Sequence, residues 1–183
     1  MTRLFDILFS LFGLMILSPI ILILYFIGLF DTGSPLFRQE RVGLNQNSFK
    51  LLKFRSMHLN TKTVATHLVQ VSSITKWGSF LRKSKLDELP QLFNVLIGDM
   101  SFVGPRPNLF NQLELIDARK TKGVYLVRPG ITGLAQINKI DMSTPQLLAE
   151  TDEKMIQNLD IIHYFKYIFL TIFGKGFGDR VKE

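Results

Sequence analysis

The stretch Lys85-Leu-Asp87-Glu88-Leu-Pro90-Gln91 sets two carboxylates side by side just ahead of a proline. Proline is tolerated in the first turn of a helix, so a helix is expected to begin just before Pro90, with Asp87 and Glu88 at its N-terminus. The dipole and the free N–H groups there favour anions, including a neighbouring phosphate. Two adjacent carboxylates can divide labour, one attacking and one holding a metal or moving a proton. Acids at a helix start are also ordinary capping residues, and composition alone favours that plainer role. In a second stretch, Gly98-Asp-Met-Ser-Phe-Val-Gly-Pro-Arg-Pro107, two prolines flank Arg106. They fix the backbone and aim a guanidinium, the group that binds phosphate bidentately. A rigid turn with a solvated arginine is the plainer alternative. Lys53, in Lys53-Phe-Arg55-Ser-Met57, and Arg82 add charge that could meet a diphosphate. There is no Gly-x-Gly-x-x-Gly, Walker A or His-Glu-x-x-His pattern, and the three histidines show no ligand spacing.

These groups need elements to hold them. Leu36 to Lys53 reads as two short strands around Gly43-Leu-Asn-Gln-Asn47, a small β-hairpin. Residues 56–75 are polar and irregular and read as a loop. Leu86, Leu89, Leu92, Phe93 and Leu96 have helical spacing, ended by Gly98. Residues 108–121 read as a helix, and Arg128-Pro-Gly-Ile-Thr-Gly133 as a tight turn. Residues 145–158 read as another helix, with Ser143 or Thr144 as cap and Pro145 at its first position. Leu159 to Phe173 is strongly apolar with a narrow polar stripe of Asp160, His163 and Lys166. It is expected to be an amphipathic helix lying in a membrane interface, where aromatics and lysine are favoured. The whole predicts a mostly helical α+β fold.

The N-terminus is different in kind. Ile7 to Phe30 carries no charge, and as a helix it would extend roughly 36 Å, against a bilayer core of about 30 Å. It is too long for a signal-peptide core and lacks a clear small-residue cleavage site, so it is read as retained. Ser18-Pro19 lies in its middle. The proline removes one helical hydrogen bond, a neighbouring serine hydroxyl can satisfy the freed carbonyl, and a kink is expected. Arg38, Arg41, Lys50, Lys53 and Arg55 follow closely, which puts the C-terminal side in the cytoplasm. Arg3 makes the start positive too, so the residues alone leave open a simple span and a re-entrant helix with both ends on one side.

Composition narrows the classes. The chain has 183 residues, 46% hydrophobic, with 22 Lys+Arg against 15 Asp+Glu. Its hydrophobicity excludes disorder as the main state. With no cysteine it has no disulfide scaffold, thiolate metal site or cysteine nucleophile. Residues 1–30 hold one base, Arg3, and one acid, Asp6, so the whole +7 excess lies beyond the apolar segment. A basic body on an apolar anchor suits anionic partners: lipid head groups, phosphates or nucleic acid.

Taken together, the motifs resemble the bacterial sugar transferases known as monotopic phosphoglycosyl transferases. The resemblance runs through Arg3-x-x-Asp6, the apolar run with Ser18-Pro19, Phe37-Arg-Gln-Glu-Arg-Val-Gly43 and Lys53-Phe-Arg-Ser-Met57. It continues through Leu81-Arg-Lys83, Leu86-Asp-Glu-Leu-Pro-Gln91, Gly98 to Pro107 and Pro129-Gly-Ile-Thr-Gly133. It covers nearly the whole chain, as in the family's small members, which are a single catalytic domain. It implies that residues 1–30 form a re-entrant membrane helix broken at Ser18-Pro19, with both termini cytoplasmic. Residues 31–183 would be the cytosolic, membrane-associated catalytic domain, at the cytoplasmic face of the bacterial inner membrane. The implied reaction moves a phosphosugar from a UDP-sugar, by family habit an N-acetylated hexosamine derivative, to undecaprenyl phosphate, releasing UMP. This is the first membrane step of surface glycan synthesis, and downstream glycosyltransferases are the implied protein partners. Asp87 would be the nucleophile, forming an aspartyl-phosphosugar intermediate. Asp87 and Glu88 would hold Mg²⁺, and Glu88 could also position the acceptor. Lys53, Arg82, Arg106 and Arg128 would bind the phosphates.

The sequence departs from the family in its last third. Leu134 stands where a tryptophan is common, Asn138-Lys-Ile-Asp141 leads to Pro145 where an Asn-Gly-Arg stretch is frequent, and the Asp-x-x-Tyr motif reads Asp152-Glu-Lys-Met155. These positions bear on nucleotide and sugar recognition, not on Asp87-Glu88. Two other classes compete. A non-catalytic membrane-surface module binding anionic lipid explains the charge and the apolar helices but not Asp87-Glu88 or Pro105-Arg-Pro107. Nucleic-acid binding, suggested by a pI near 9.7, has no recognisable module and leaves the anchor unexplained, so no nucleic-acid partner is expected.

Overall fold

A computed structural model describes residues 2–61 and 71–173. A long helix, α1 (Thr2–Thr32), leads into a hairpin of β1 (Leu36–Val42) and β2 (Ser48–Phe54). Then come α2 (Lys76–Ser84), a 3-10 turn (Leu86–Glu88), α3 (Gln91–Ile97), β3 (Ser101–Val103), α4 (Leu113–Thr121) and β4 (Gly130–Thr132). After them come α5 (Leu134–Ile137), α6 (Pro145–Gln157) and α7 (Ile161–Ile172). The expected mostly helical α+β fold is present. Part of the expected loop 56–75, residues 62–70, lies outside the described residues; beside it, Met57 bridges Ile74.

The face that α1 buries can be read from its spacing. Asp6, Ser10, Leu24 and Gly28 are buried, three or four residues or multiples of that apart, so one stripe faces the domain. Gly13 lies on this stripe against Leu92, and Gly28 against Pro35, where a Cβ would come within 2.8 Å of the proline Cβ. Leu8, Phe12, Met15, Ile16, Ile23 and Phe26 on the other side are exposed. Pro19 sits inside the helix, which runs through it without interruption. Its missing N–H would have bonded the Met15 carbonyl, and the Ser18 hydroxyl donates to that carbonyl at 2.8 Å instead. The expected break is therefore a backbone bond exchanged for a side-chain bond, and the helix continues.

The hairpin is antiparallel, with Phe37 opposite Lys53, Gln39 opposite Leu51 and Arg41 opposite Phe49. Alternation along the strands places these six side chains on one face. Phe49 and Leu51 on that face pack with Val95 of α3 and Met100, so the hairpin lies on α3. Lys53 and Arg41 are thereby drawn below the surface with the apolar residues.

The apolar run from Leu86 to Leu96, expected as one helix starting before Pro90, is two elements. Lys85 adopts the left-handed conformation (φ 58°), which ends α2 and starts a separate 3-10 turn. Pro90 then caps α3. The helix expected over 108–121 begins only at Leu113, because the carbonyls of Asn108 and Leu109 are bonded elsewhere, to the Val42 N–H and the Gln112 N–H. A short parallel pair was not anticipated: Ser101 lies opposite Gly130 and Val103 opposite Thr132. It forms because Gly104 and Gly130 touch backbone to backbone; a Cβ on Gly130 would lie 2.0 Å from the Gly104 nitrogen. Val103 then packs with Met155 of α6 and with Tyr164 and Tyr167 of α7. The helices expected over 145–158 and 159–173 are present as α6 and α7, with Pro145 at the first turn of α6 after Thr144.

Candidate active site

The 3-10 turn between α2 and α3 carries Asp87 and Glu88. Asp87 is buried, 4% exposed. The Glu88 Oε1 accepts from Lys53 Nζ at 3.2 Å and from Arg106 Nη2 at 3.0 Å. One residue from the hairpin and one from the segment between β3 and α4 thus converge on the turn. The three side chains are mostly buried, and a carboxylate shared by two cations out of bulk water is attracted far more strongly than a surface pair. Beside this cluster lies a narrow pocket bounded by Arg41, Lys53, Gln91 and Arg106, with Leu51 and Pro107. Its polar lining is three cations and one amide, the donor set that binds phosphate oxygens.

Arg106 is held as the flanking prolines suggested. Its carbonyl accepts from Arg119, and the Pro107 carbonyl from Arg41, at 2.8 and 3.0 Å. Arg82, in the last turn of α2, bonds through Nε to Ser56 Oγ at 2.8 Å, and its buried Nη1 has no hydrogen-bond partner among the described residues. Arg128 is placed otherwise. Its Nε donates to the Gly98 carbonyl at 2.7 Å, next to Arg3, whose guanidinium bonds the Val95 and Leu96 carbonyls. Arg3 and Arg128 together cover the C-terminal end of α3, where cations meet the negative end of the dipole. Arg128 does not line the pocket.

Two side chains in the pocket were missed by residue reading. Arg41 and Gln91 lie inside quoted motifs but carried no role in the site. The strand alternation that puts Arg41 on the face of Lys53 was the available signal. Arg119 was missed because a lone charged residue usually reads as surface, and Asp152, named only within a departing motif, was not paired with it. Among the described residues no three His, Cys, Asp or Glu side chains form a metal-holding group. Mg²⁺ is typically held by one or two carboxylates together with substrate phosphates, and the adjacent Asp87 and Glu88 fit that donor set.

A buried Asp87 next to a mostly buried Glu88, beside a cation-lined pocket on a domain fastened to a long apolar helix, is suited to anionic ligands at a membrane surface. The family of bacterial sugar transferases matches residues 1–176, and the chain belongs to it. It is 38% identical over 187 residues to the UDP-glucose:undecaprenyl-phosphate glucose-1-phosphate transferase of Escherichia coli, covering 96% of this chain and 40% of that protein. A UDP-N-acetylgalactosamine-undecaprenyl-phosphate N-acetylgalactosaminephosphotransferase of Aeromonas hydrophila is 36% identical, over 96% of this chain and 44% of its own. An uncharacterised sugar transferase of Bacillus subtilis is 39% identical, over 93% of this chain and 84% of its own. The chain thus spans well under half the length of the first two relatives.

Proposed function

We propose that the protein is a phosphoglycosyl transferase that moves a phosphosugar from a UDP-sugar to undecaprenyl phosphate. The observation that carries this reading is the turn with buried Asp87 and mostly buried Glu88 beside a pocket lined by Arg41, Lys53 and Arg106. An Asp87 carboxylate oxygen attacks the β-phosphorus of the donor. The bond from that phosphorus to the bridging oxygen breaks, and UMP leaves with the oxygen and its electron pair. An aspartyl-phosphosugar remains on Asp87. An oxygen of undecaprenyl phosphate then attacks the same phosphorus, the acyl-phosphate bond breaks, and the Asp87 carboxylate is restored. Lys53, Arg106 and Arg41 neutralise phosphate charge that would otherwise repel the nucleophile. Arg82 adds a further donor through Nη1, whereas Arg128 acts through the end of α3. Asp87 and Glu88 would hold Mg²⁺, which when bound supplies charge neutralisation at the phosphates.

The membrane placement rests on α1. Its start is bonded to the domain through Arg3 and through Asp6, which accepts from Ser101, Phe102 and Tyr164. Its end is bonded to the same domain, with Asp31 accepting from Thr75 at 2.8 Å and Leu24 packed on Phe54 and Leu81. A helix fastened to one domain at both ends favours re-entry, with both termini cytoplasmic at the inner membrane. Phe80 of α2, Phe93 and Ile97 of α3, and Ile162, Phe169 and Ile172 of α7 are exposed apolar side chains that suit interfacial helices. A non-catalytic lipid-binding module would account for these faces but not for the buried acids.

The test is turnover. Detergent-solubilised protein is incubated with Mg²⁺, undecaprenyl phosphate and a panel of UDP-sugars that includes glucose, galactose and N-acetylated hexosamine donors. UMP and UDP are measured separately, with Asp87→Asn alongside. UMP release lost in the variant, and a phosphosugar adduct on the Asp87 peptide when acceptor is withheld, is the expected result. Release of UDP would mean ordinary glycosyl transfer and a wrong mechanism.

A further inference from the structure

Residues 105–108 have no regular secondary structure, yet all four consecutive carbonyls are taken. The Gly130 N–H donates to Pro105 O at 2.9 Å and the Val42 N–H to Asn108 O at 3.0 Å. Between them, Arg119 Nη1 donates to Arg106 O at 2.8 Å and Arg41 Nη1 to Pro107 O at 3.0 Å. Arg41 lines the pocket. Arg119 is 1% exposed, so no ligand reaches it. Its Nε and Nη2 both donate to Asp152 Oδ2, at 3.0 and 2.7 Å, and its Nη1 also reaches Asn108 Oδ1 at 2.9 Å. The Tyr125 hydroxyl donates to the same Asn108 oxygen at 3.0 Å.

A fully buried ion pair is an expensive way to fill space; apolar side chains of similar volume often serve as well or better. This pair does something apolar residues cannot: it bonds the backbone of the residue whose guanidinium meets Glu88. We propose that Arg119, held by Asp152, is a positioning residue that fixes the Arg106 carbonyl and so aims the Arg106 guanidinium at the phosphates of the donor. The planar fork is essential, because a lysine ammonium cannot serve Asp152, Asn108 and the Arg106 carbonyl in one plane. It also gives a role to Asp152, which lies in the departing Asp152-Glu-Lys-Met155 stretch. Burial raises its carboxyl above the ordinary range, and Arg119 opposes that rise.

The inference rests on the donor reading above, and the experiment separates the two. UDP binding to the detergent-solubilised full chain with Mg²⁺ is measured by titration calorimetry for four proteins. These are wild type, Arg106→Ala, the pair Arg119→Met with Asp152→Leu, and all three changes together. Removing both buried charges at once leaves neither orphaned. Arg106→Ala is expected to weaken UDP about tenfold or more, the pair about tenfold, and the pair on top of Arg106→Ala less than about twofold. A purely structural role would lower the melting temperature, but its effect on UDP would multiply with that of Arg106→Ala. Full multiplication, or wild-type UDP affinity in the pair variant, overturns the positioning role. Unchanged affinity in Arg106→Ala overturns the donor reading itself. Arg119→Lys, which keeps the charge, is the second variant if the pair does not fold, and the same cycle with Arg106→Ala is read on it.

Discussion

Truncating Asp6 tests whether the first turn of α1 is locked to the domain. Asp6 is 2% exposed. Its Oδ1 accepts from Ser101 Oγ at 2.9 Å, from the Phe102 N–H at 3.0 Å and from the Tyr164 hydroxyl at 2.8 Å. Burial first, then Asp6, push the Tyr164 phenol above its usual range, so it remains a donor. Hydrogen bonds to a charged group contribute about 1.5–3 kcal/mol each, but the two hydroxyls can rotate toward other acceptors and desolvation of the carboxylate is relieved. The backbone N–H of Phe102 cannot rotate. Asp6→Ala should therefore cost about 3–5 kcal/mol, the range for orphaning partners of a buried charge. At about 2–4 °C per kcal/mol for a chain of this size, the melting temperature in detergent should fall by roughly 6–20 °C. Tyr164→Phe alone should cost about 1 kcal/mol, and the two changes together less than their separate effects. The assay is near-ultraviolet circular dichroism on heating. An Asp6→Ala protein melting within about 2 °C of wild type would refute the latch, and with it the argument that both ends of α1 sit on one side.

Gly130→Ala should destabilise the fold by about 3 kcal/mol, because its Cβ would lie 2.0 Å from backbone at Gly104 and the β3–β4 pair would have to part; a melting curve reads this. Asp160 caps α7, accepting from the His163 N–H at 2.7 Å, and that bond together with the His163 side chain lowers its carboxyl. A lowered carboxyl contributes stability above its unfolded value near 4 that is lost as pH falls through the folded value. Wild type should therefore melt above Asp160→Asn at pH 7, with the difference closing below pH 4. A gap unchanged at pH 3 would mean the cap bond does not depend on charge.

What was legible follows from how far each signal reaches along the chain. The hairpin was, since period-two alternation and a Gly/Asn turn fall within one short stretch. So was α6, because Thr144 and Pro145 mark its start. The β3–β4 pair was not: two three-residue strands far apart carry no periodicity, and what joins them is the bare backbone of Gly104 and Gly130. The single helix expected through Leu96 is split because Pro90 has no N–H to give the Leu86 carbonyl, which takes the Leu89 N–H in a 3-10 bond instead. In the site, the residues set off by proline or by each other, Asp87, Glu88 and Arg106, were legible, and Lys53 entered with Arg82 as charge that could meet a diphosphate. Arg41 needed the strand register. Arg119 and Asp152, 33 positions apart, needed the fold.

In the proposed reaction the two acids have different work to do. Glu88 holds Lys53 and Arg106 with its Oε1, so both long side chains are ordered and partly desolvated before a diphosphate arrives. Binding then exchanges one anionic partner for another and avoids ordering two flexible side chains from water, at about 0.5–1.5 kcal/mol each. Removing the Glu88 charge loosens that arrangement, so Glu88→Gln should weaken UDP binding about threefold to tenfold. In that reading Asp87, as the attacking group, contributes to bond making and little to the affinity for UDP measured without Mg²⁺, so Asp87→Asn should bind metal-free UDP at least as well as wild type while transferring nothing. Calorimetry with UDP, alongside UMP release, separates the two effects. If Asp87→Asn loses UDP while Glu88→Gln keeps it, the roles are reversed and Glu88 becomes the candidate nucleophile.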